Sequence, residues 1–434
     1  MTYTGFELLW LFFICSFMGW AGETAWAAVR ERRYVDKSAL YGPVCAIYGT
    51  TAVVLALGLY ELKDHLFFLF LGSALLATVI EWAGGHFLEN VSHTRWWDYS
   101  HRRFNLDGYI CLGASVLWGL LGVVSVRWGN GILLFLYHLM PAFVGKTVVW
   151  IMAGLLAVDI LATGLTLAGL KHRMPRVDAV GNQMALISLR LGLWILGRTE
   201  RRIQNAHPEA VFARIRARER SQVFAQGCGF YKIVLLFVIG SFLGDVTETI
   251  FCRLKAGVWM SRSSLVWGPF SIVWGFALAA VTLLLYKYKD RSDRFLFLVG
   301  TFLGGAYEYL CSVFTELVFG TVFWDYSEIP FNLGGRINLL YCFFWGIAAV
   351  VWMKAAYPAF SRWIEKIPRR AGKPVTWVLL VFMAVNMGVS AMALARYVER
   401  NAGVEARAGW EVRMDEQFDD ARMERIYPNM ISVE

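Results

Sequence analysis

Trp97-Asp98-Tyr99-Ser100, followed by Phe104-Asn105-Leu106, Gly108, Ile110 and Trp118-Gly119, is written twice in this chain. It returns as Trp324-Asp325-Tyr326-Ser327, then Phe331-Asn332-Leu333, Gly335, Ile337 and Trp345-Gly346. Working outward, Ser16-Phe17-Met18-Gly19 with Glu23-Thr24 returns as Ser241-Phe242-Leu243-Gly244 with Glu248-Thr249, and Gly42-Pro43 returns as Gly268-Pro269. The offset hardly drifts along the match, so the chain is a tandem duplication. Its period is domain-sized rather than that of a solenoid.

At 57% hydrophobic and 17% charged residues, the chain is too apolar for a soluble globule of its length. Nearly continuous apolar stretches run over 6–28, 39–60, 66–92, 108–127 and 144–170, then over 231–253, 264–287, 294–319, 335–356 and 374–397. Each approaches or exceeds the roughly 20 residues needed to cross a ~30 Å hydrocarbon core as a helix. None shows the two-residue alternation of barrel strands, and only helices or closed barrels satisfy their backbone groups in lipid. The expected fold is an all-α, multi-pass bundle of ten transmembrane helices in two five-helix repeats, 1–170 and 231–397. A 171–230 linker separates them and a polar tail, 398–434, follows. The first segment lacks a basic leader and carries Glu23 where a cleavage site would need small residues, which predicts a retained helix. The cysteines show no metal-ligand or disulfide spacing and read as small core residues.

The net charge of +9 is concentrated in the linker, where Lys171, Arg173, Arg176, Arg190 and a run of arginines from Arg198 to Arg220 outweigh the acids. Basic loops are retained on the cytoplasmic face and attracted by anionic headgroups. No aromatic-interleaved basic motif accompanies the charge, which argues against nucleic acid as a partner. Within the linker, 184–196 reads as an interfacial helix. Five crossings per unit invert the second copy. The loop charges agree, because Arg30, Arg32, Arg33, Arg95, Arg102 and Arg103 in the first copy, and Lys287, Lys289, Arg291, Lys354 and Arg362 in the second, then all face the cytoplasm. Inverted repeats of this kind build many secondary transporters. A crossing by 131–143 or 184–196 would make the halves parallel instead.

Acids stand in apolar helices at Glu23, Glu81 and Glu89, and at the matching Glu248, Glu308 and Glu316. A carboxylate at membrane depth is costly unless protonated, paired or facing water, so it marks a path or site; the alternative is a helix lock made with Trp or Tyr donors. Glu81 and Glu89 lie roughly 80° apart around one helix, close enough to line one cavity. The Trp-Asp-Tyr-Ser aromatics suit the headgroup layer. Asp98 and Asn105, with Asp325 and Asn332, point to a structured, re-entrant loop coordinating something polar; the alternative is a purely structural role. His86, Glu89 and His93 have ligand spacing, but their counterparts Val313, Glu316 and Gly320 lose both imidazoles, so no metal is expected. Gly145-Lys146-Thr147 lacks the leading glycine of a phosphate loop, with Met140 in its place, so no nucleotide cofactor is expected.

Glu23, Gly42-Pro43, Glu81, the Trp-Asp-Tyr-Ser block, Asn105, Gly108 and Trp118-Gly119, with their twins, resemble the putative ABC-transporter type IV family of bacterial membrane proteins. The tail Met423-Glu424-Arg425-Ile426-Tyr427-Pro428-Asn429 is similar to that family's usual ending. The resemblance implies a permease-like protein of the inner membrane, moving a small solute or lipid-like substrate among membrane lipids, with any ATPase a separate subunit. An intramembrane enzyme acting on lipid-linked substrates, and a scaffold docking a partner through its basic linker, are the rival readings.

The inverted arrangement has a direct check. Reporter fusions at residues 3 and 432 should report the outer side and a fusion at 205 the cytoplasm; a cytoplasmic signal at 432 rejects it.

Overall fold

The computed structural model describes residues 3–32, 40, 42–92, 95–167, 198, 223–428 and 430–432, and the chain divides into two compact units, Met1–Arg218 and Glu219–Glu434. The first contains α1 (Gly5–Glu31), α2 (Ala46–Gly58), α3 (Leu66–Ser92), a hairpin of β1 (Asn105–Leu106) and β2 (Ile110–Cys111), α4 (Leu112–Val124), α5 (Asn130–His138) and α6 (Ala142–Leu167). The second repeats the order with α7 (Phe230–Ala256), α8 (Ile272–Leu285), α9 (Asp293–Phe319), β3 (Thr321–Val322), a hairpin of β4 (Asn332–Leu333) and β5 (Ile337–Asn338), α10 (Leu339–Val351), α11 (Tyr357–Glu365) and α12 (Arg369–Asn401). It then adds α13 (Gly409–Gln417), α14 (Asp420–Ile426) and β6 (Ile431–Ser432). Among the described residues, 8 helices are long and apolar enough to cross a membrane, and two shorter apolar ones accompany them. The protein is an all-α, multi-pass membrane bundle.

Two boundaries differ from the sequence reading. The 131–143 stretch is not a separate crossing: α4 runs through a single π-turn at Ser125–Gly129 into α5, and the second unit does the same at Trp352–Ala356. The continuous helix stops only before Pro141. The apolar stretches at 39–60 and 264–287 yield only short helices, α2 and α8, of about 20 Å each at 1.5 Å per residue. Pro43 and Pro269 lack the N–H that a helix interior bonds, and each stands in the loop just ahead of its short helix. Gly268 before Pro269 adopts a left-handed φ of 80° that other residues resist. The residues before each short helix therefore form a non-helical loop. The 184–196 segment lies outside the described residues.

Small residues let the helices close. A Cβ on Gly49 would strike Ser16 Oγ, and one on the matching Gly275 would strike Ser241 Oγ and come within 2.9 Å of the Phe237 carbonyl. Both contacts seat the short helix against the first helix of its unit, the close backbone approach that membrane helices use. Between the third and fourth helices, Gly122 opposes Ser73 in the first unit. In the second the small residue has changed sides, and Gly300 opposes Ala349. A side-chain pair ties the far ends: Glu7 accepts from His138 at 2.8 Å, and at the matching positions Lys232 meets Glu365 at 2.7 Å with the acid and the base exchanged.

The polar tail folds back onto the second unit. Phe418, Met423 and Tyr427 are buried with Val266, Ala393, Leu394 and Tyr397, while β6 pairs antiparallel with β3. Arg396, almost fully buried, donates to both carboxylate oxygens of Asp415, from Nε at 3.2 Å and Nη2 at 2.7 Å.

Replacing Gly275 with valine should destabilise the protein by about 1–3 kcal/mol, because the α7–α8 contact has no room for a side chain. Gly388→Ala, at a position with open space around the missing Cβ, is the control. Thermal unfolding in detergent should separate the two; equal midpoints would mean that the contact relaxes freely.

Candidate functional site

Each unit buries a glutamate on its third helix at the same place. Glu81 is 5% exposed and accepts from the Tyr99 hydroxyl and from Trp118 Nε1, both at 3.1 Å. Glu308, 8% exposed, accepts from Tyr326 at 2.7 Å and from Trp345 Nε1 at 3.0 Å. Tyr99 and Tyr326 come from the Trp-Asp-Tyr-Ser loop, and Trp118 and Trp345 from the fourth helix. One carboxylate thus gathers donors from two other segments, and the sequence motif is explained by where its tyrosine and tryptophan meet the acid.

A second carboxylate sits beside it, on the first helix of the unit. Glu248 accepts from Trp274 Nε1 at 2.6 Å and from Arg262 Nε at 2.8 Å. The Trp274 and Trp345 rings lie 5.1 Å apart, so the two glutamates are joined through an aromatic pair. In the first unit Tyr48 takes the place of Trp274, bonds Glu23, and lies 4.7 Å from the Trp118 ring. The structure therefore brings together Glu23 with Glu81, and Glu248 with Glu308.

Glu89 and Glu316 belong to a different cluster, at the end of the third helix. Glu89 pairs with Arg95 at 3.5 Å and Glu316 with Arg336 at 2.5 Å. The cation has moved across the loop, since Arg336 stands where the first unit has Tyr109. Asp98, Asn105 and their twins are spent on the loop itself. Asp98 accepts from the Ser100 backbone N–H and hydroxyl, at 2.8 and 2.9 Å, as Asp325 does from Ser327 at 2.9 and 2.6 Å. Asn105 donates to the Ser100 and Arg102 carbonyls and accepts from the Gly108 N–H, and Asn332 repeats this with Ser327, Ile329 and Gly335. The loop is a compact hairpin between helices. Gly108 and Gly335 adopt φ of 78° and 67° there, and a Cβ at either would press on the aspartate.

Non-helical backbone also lies before the second helix, and the residues that serve it escaped the sequence reading. The Cys45 N–H donates to the Ser16 carbonyl at 3.0 Å, near the middle of α1, and the Ser271 N–H to the Ser241 carbonyl at 2.9 Å, near the middle of α7. These loops thus reach membrane depth. Further backbone groups of these loops bond the fifth helix of each unit: the Gly42 N–H donates to Asp159 at 2.7 Å. In the second unit Asn386 accepts from the Trp267 N–H at 3.3 Å and donates to its carbonyl at 2.7 Å, and Ser390 accepts from the Val266 N–H at 2.9 Å. Asp159 and Asn386 occupy matching positions of the repeat, a signal that was present but carried by an acid-to-amide change. Asp245 was also missed; it has Trp20 as its counterpart, so no repetition marked it.

His86 is buried with its Nδ1 3.0 Å from the Trp82 carbonyl and its ring 4.2 Å from the Tyr109 ring, a core histidine; His93 lies outside the described residues. No cluster of three or more metal-ligating side chains occurs among the described residues. Gly145, Lys146 and Thr147 are inside α6 rather than in a loop.

The family profile described as putative ABC-transporter type IV matches the chain twice, over residues 10–164 and 235–391. No curated protein and no solved structure matches it.

The loop carboxylates give a pH test. The serine hydrogen bonds hold Asp98 and Asp325 below the usual carboxylate range: for Asp98 the backbone N–H of Ser100 dominates, for Asp325 the Ser327 hydroxyl. A depressed folded value means that their contribution to the loop is fully present above about pH 4, the unfolded carboxylate range, and is lost as pH falls through the folded value. Amide exchange in 98–108 and 325–335 should be protected at neutral pH and released in acid, and Asp325→Asn should release the second loop at every pH. Unchanged protection in that variant would contradict this account.

Proposed function

The chain belongs to the putative ABC-transporter type IV family, and from that premise we propose that it is an inner-membrane permease whose two units are inverted relative to one another. The observation that carries this reading is the duplicated carboxylate pair. Glu81 and Glu308 are the central groups of the polar path, supported by Glu23 and Glu248. Glu89 and Glu316 stand at its ends beside their arginines, with the Asp98/Asn105 and Asp325/Asn332 hairpins as rigid mouths. Two copies of one site in opposite orientations serve the two sides of the membrane in turn, as alternating access requires. The substrate class is a small solute, and the phosphate-loop chemistry that this chain lacks would come from a separate ATPase subunit. The basic linker then faces the cytoplasm, against anionic lipid headgroups.

The geometry also states what the acids do when nothing passes. Each holds a tyrosine from the hairpin and a tryptophan from the fourth helix, so ligand exchange at the acid releases or captures both segments together. An intramembrane enzyme would use the same carboxylates as general acid and base. The two are separated by assay format, because transport needs a sealed vesicle and catalysis does not.

Glu81→Gln and Glu308→Gln should each abolish solute flux in liposomes while leaving folded protein, since the amide keeps the shape and removes the charge. A chemically altered product made in detergent, lost in the same variants, would instead establish the enzyme. Activity retained by both variants in both formats removes these carboxylates from the site.

A further inference from the structure

We propose that the second unit binds a monovalent cation, a proton or a sodium ion, at Asp245 beside Glu248. The inference rests on the transport reading and deepens it by naming an ion that binds beside the carboxylates of the path.

Asp245 is 6% exposed, and its Oδ1 is buried with no hydrogen-bond partner. It lies three residues before Glu248 on α7, hence on the same helical face. The charged groups that bear on it are Glu248 and Arg262. Arg262 is already committed, its Nε 2.8 Å from Glu248. Behind Glu248 stands Glu308, whose oxygens are taken by Tyr326 and Trp345. The short helix α8 adds Trp274, an uncharged donor to Glu248, and α12 packs on α7.

The cluster therefore sets three carboxylates, carried by the apolar spans α7 and α9, against one guanidinium from the loop before α8. Unbalanced negative charge at that depth is too costly to leave without a compensating cation. Glu248 and Glu308 have their donors and Asp245 has an open oxygen, so the compensating charge binds there. The first unit has Trp20 at the matching position, which assigns the cation to one unit only.

The test uses the full chain in detergent and the carboxyl reagent dicyclohexylcarbodiimide, which modifies protonated acids in apolar sites. Mass spectrometry of peptides spanning 230–256 should find the adduct on Asp245 and not on Glu248. If the ion is a proton, labelling falls about tenfold per pH unit beyond its midpoint and ignores sodium. If it is sodium, labelling also falls as NaCl replaces choline chloride at constant ionic strength. The absence of an adduct at Asp245, or an adduct indifferent to both pH and sodium, overturns the proposal. Asp245→Asn should abolish labelling of this peptide, and because the main experiment uses the unaltered protein, a misfolded variant does not obscure the result. Cation-dependent labelling without solute flux in liposomes would reject the transport reading and keep the site; flux without such labelling would do the reverse.

Discussion

A peptide group in the middle of a membrane has no water to bond, and an unsatisfied one costs several kcal/mol. Both units nevertheless place irregular backbone there, ahead of the short helices α2 and α8. The arrangement stands because other helices supply the missing partners: the mid-helix carbonyls of Ser16 and Ser241 from one side, and Asp159, Asn386 and Ser390 from the other. The rest follows from that loop. It shortens the second helix, it requires the fifth helix to carry polar residues on an otherwise apolar surface, and in the second unit it delivers Arg262 to Glu248. Non-helical backbone at this depth is tolerated only where protein buries it or a polar cavity receives it, and the paired carboxylates lie beside it.

The duplication has preserved interactions while exchanging the residues that make them. The polar pair between the first helix and the end of the fourth is kept with acid and base exchanged, as Glu7–His138 and Lys232–Glu365. The cation at the end of the third helix comes from Arg95 in one unit and Arg336 in the other. Tyr48 and Trp274 each offer one donor to the same glutamate. What natural variation holds constant here is a distance and a charge relation, not a residue type.

This explains what could be read in the sequence and what could not. The all-α, multi-pass class was legible because hydropathy over about 20 residues reports the membrane directly. Two of the ten expected spans are short helices among the described residues, because hydropathy does not separate a deep loop plus a short helix from a full crossing. Glu81, Glu308 and the Trp-Asp-Tyr-Ser hairpin were legible because identity survived duplication. Asp98 and Asn105 were read as candidates for a polar ligand, and their hydrogen bonds turn out to close the hairpin. Asp159 and Asn386 were overlooked because the residue type changed: both accept from a loop N–H, and the amide alone also donates to a loop carbonyl. The π-turn joining α4 to α5 was invisible, since Ser125–Gly129 and Trp352–Ala356 share no composition that distinguishes them from an ordinary helix.

The partners of the deep loops are also remote in the chain. Gly42 waits for Asp159, 117 residues further on, and Ser264, Val266 and Trp267 wait for groups 163, 124 and 119 residues away. A ribosome making this protein exposes each loop long before it makes what the loop needs. The segment cannot settle in lipid as it emerges, so it stays in a watery environment, at the membrane surface or within the insertion machinery, until the fifth helix arrives. Insertion of the long helices and completion of the units are then two separate events in biosynthesis, and quality control has its opportunity between them.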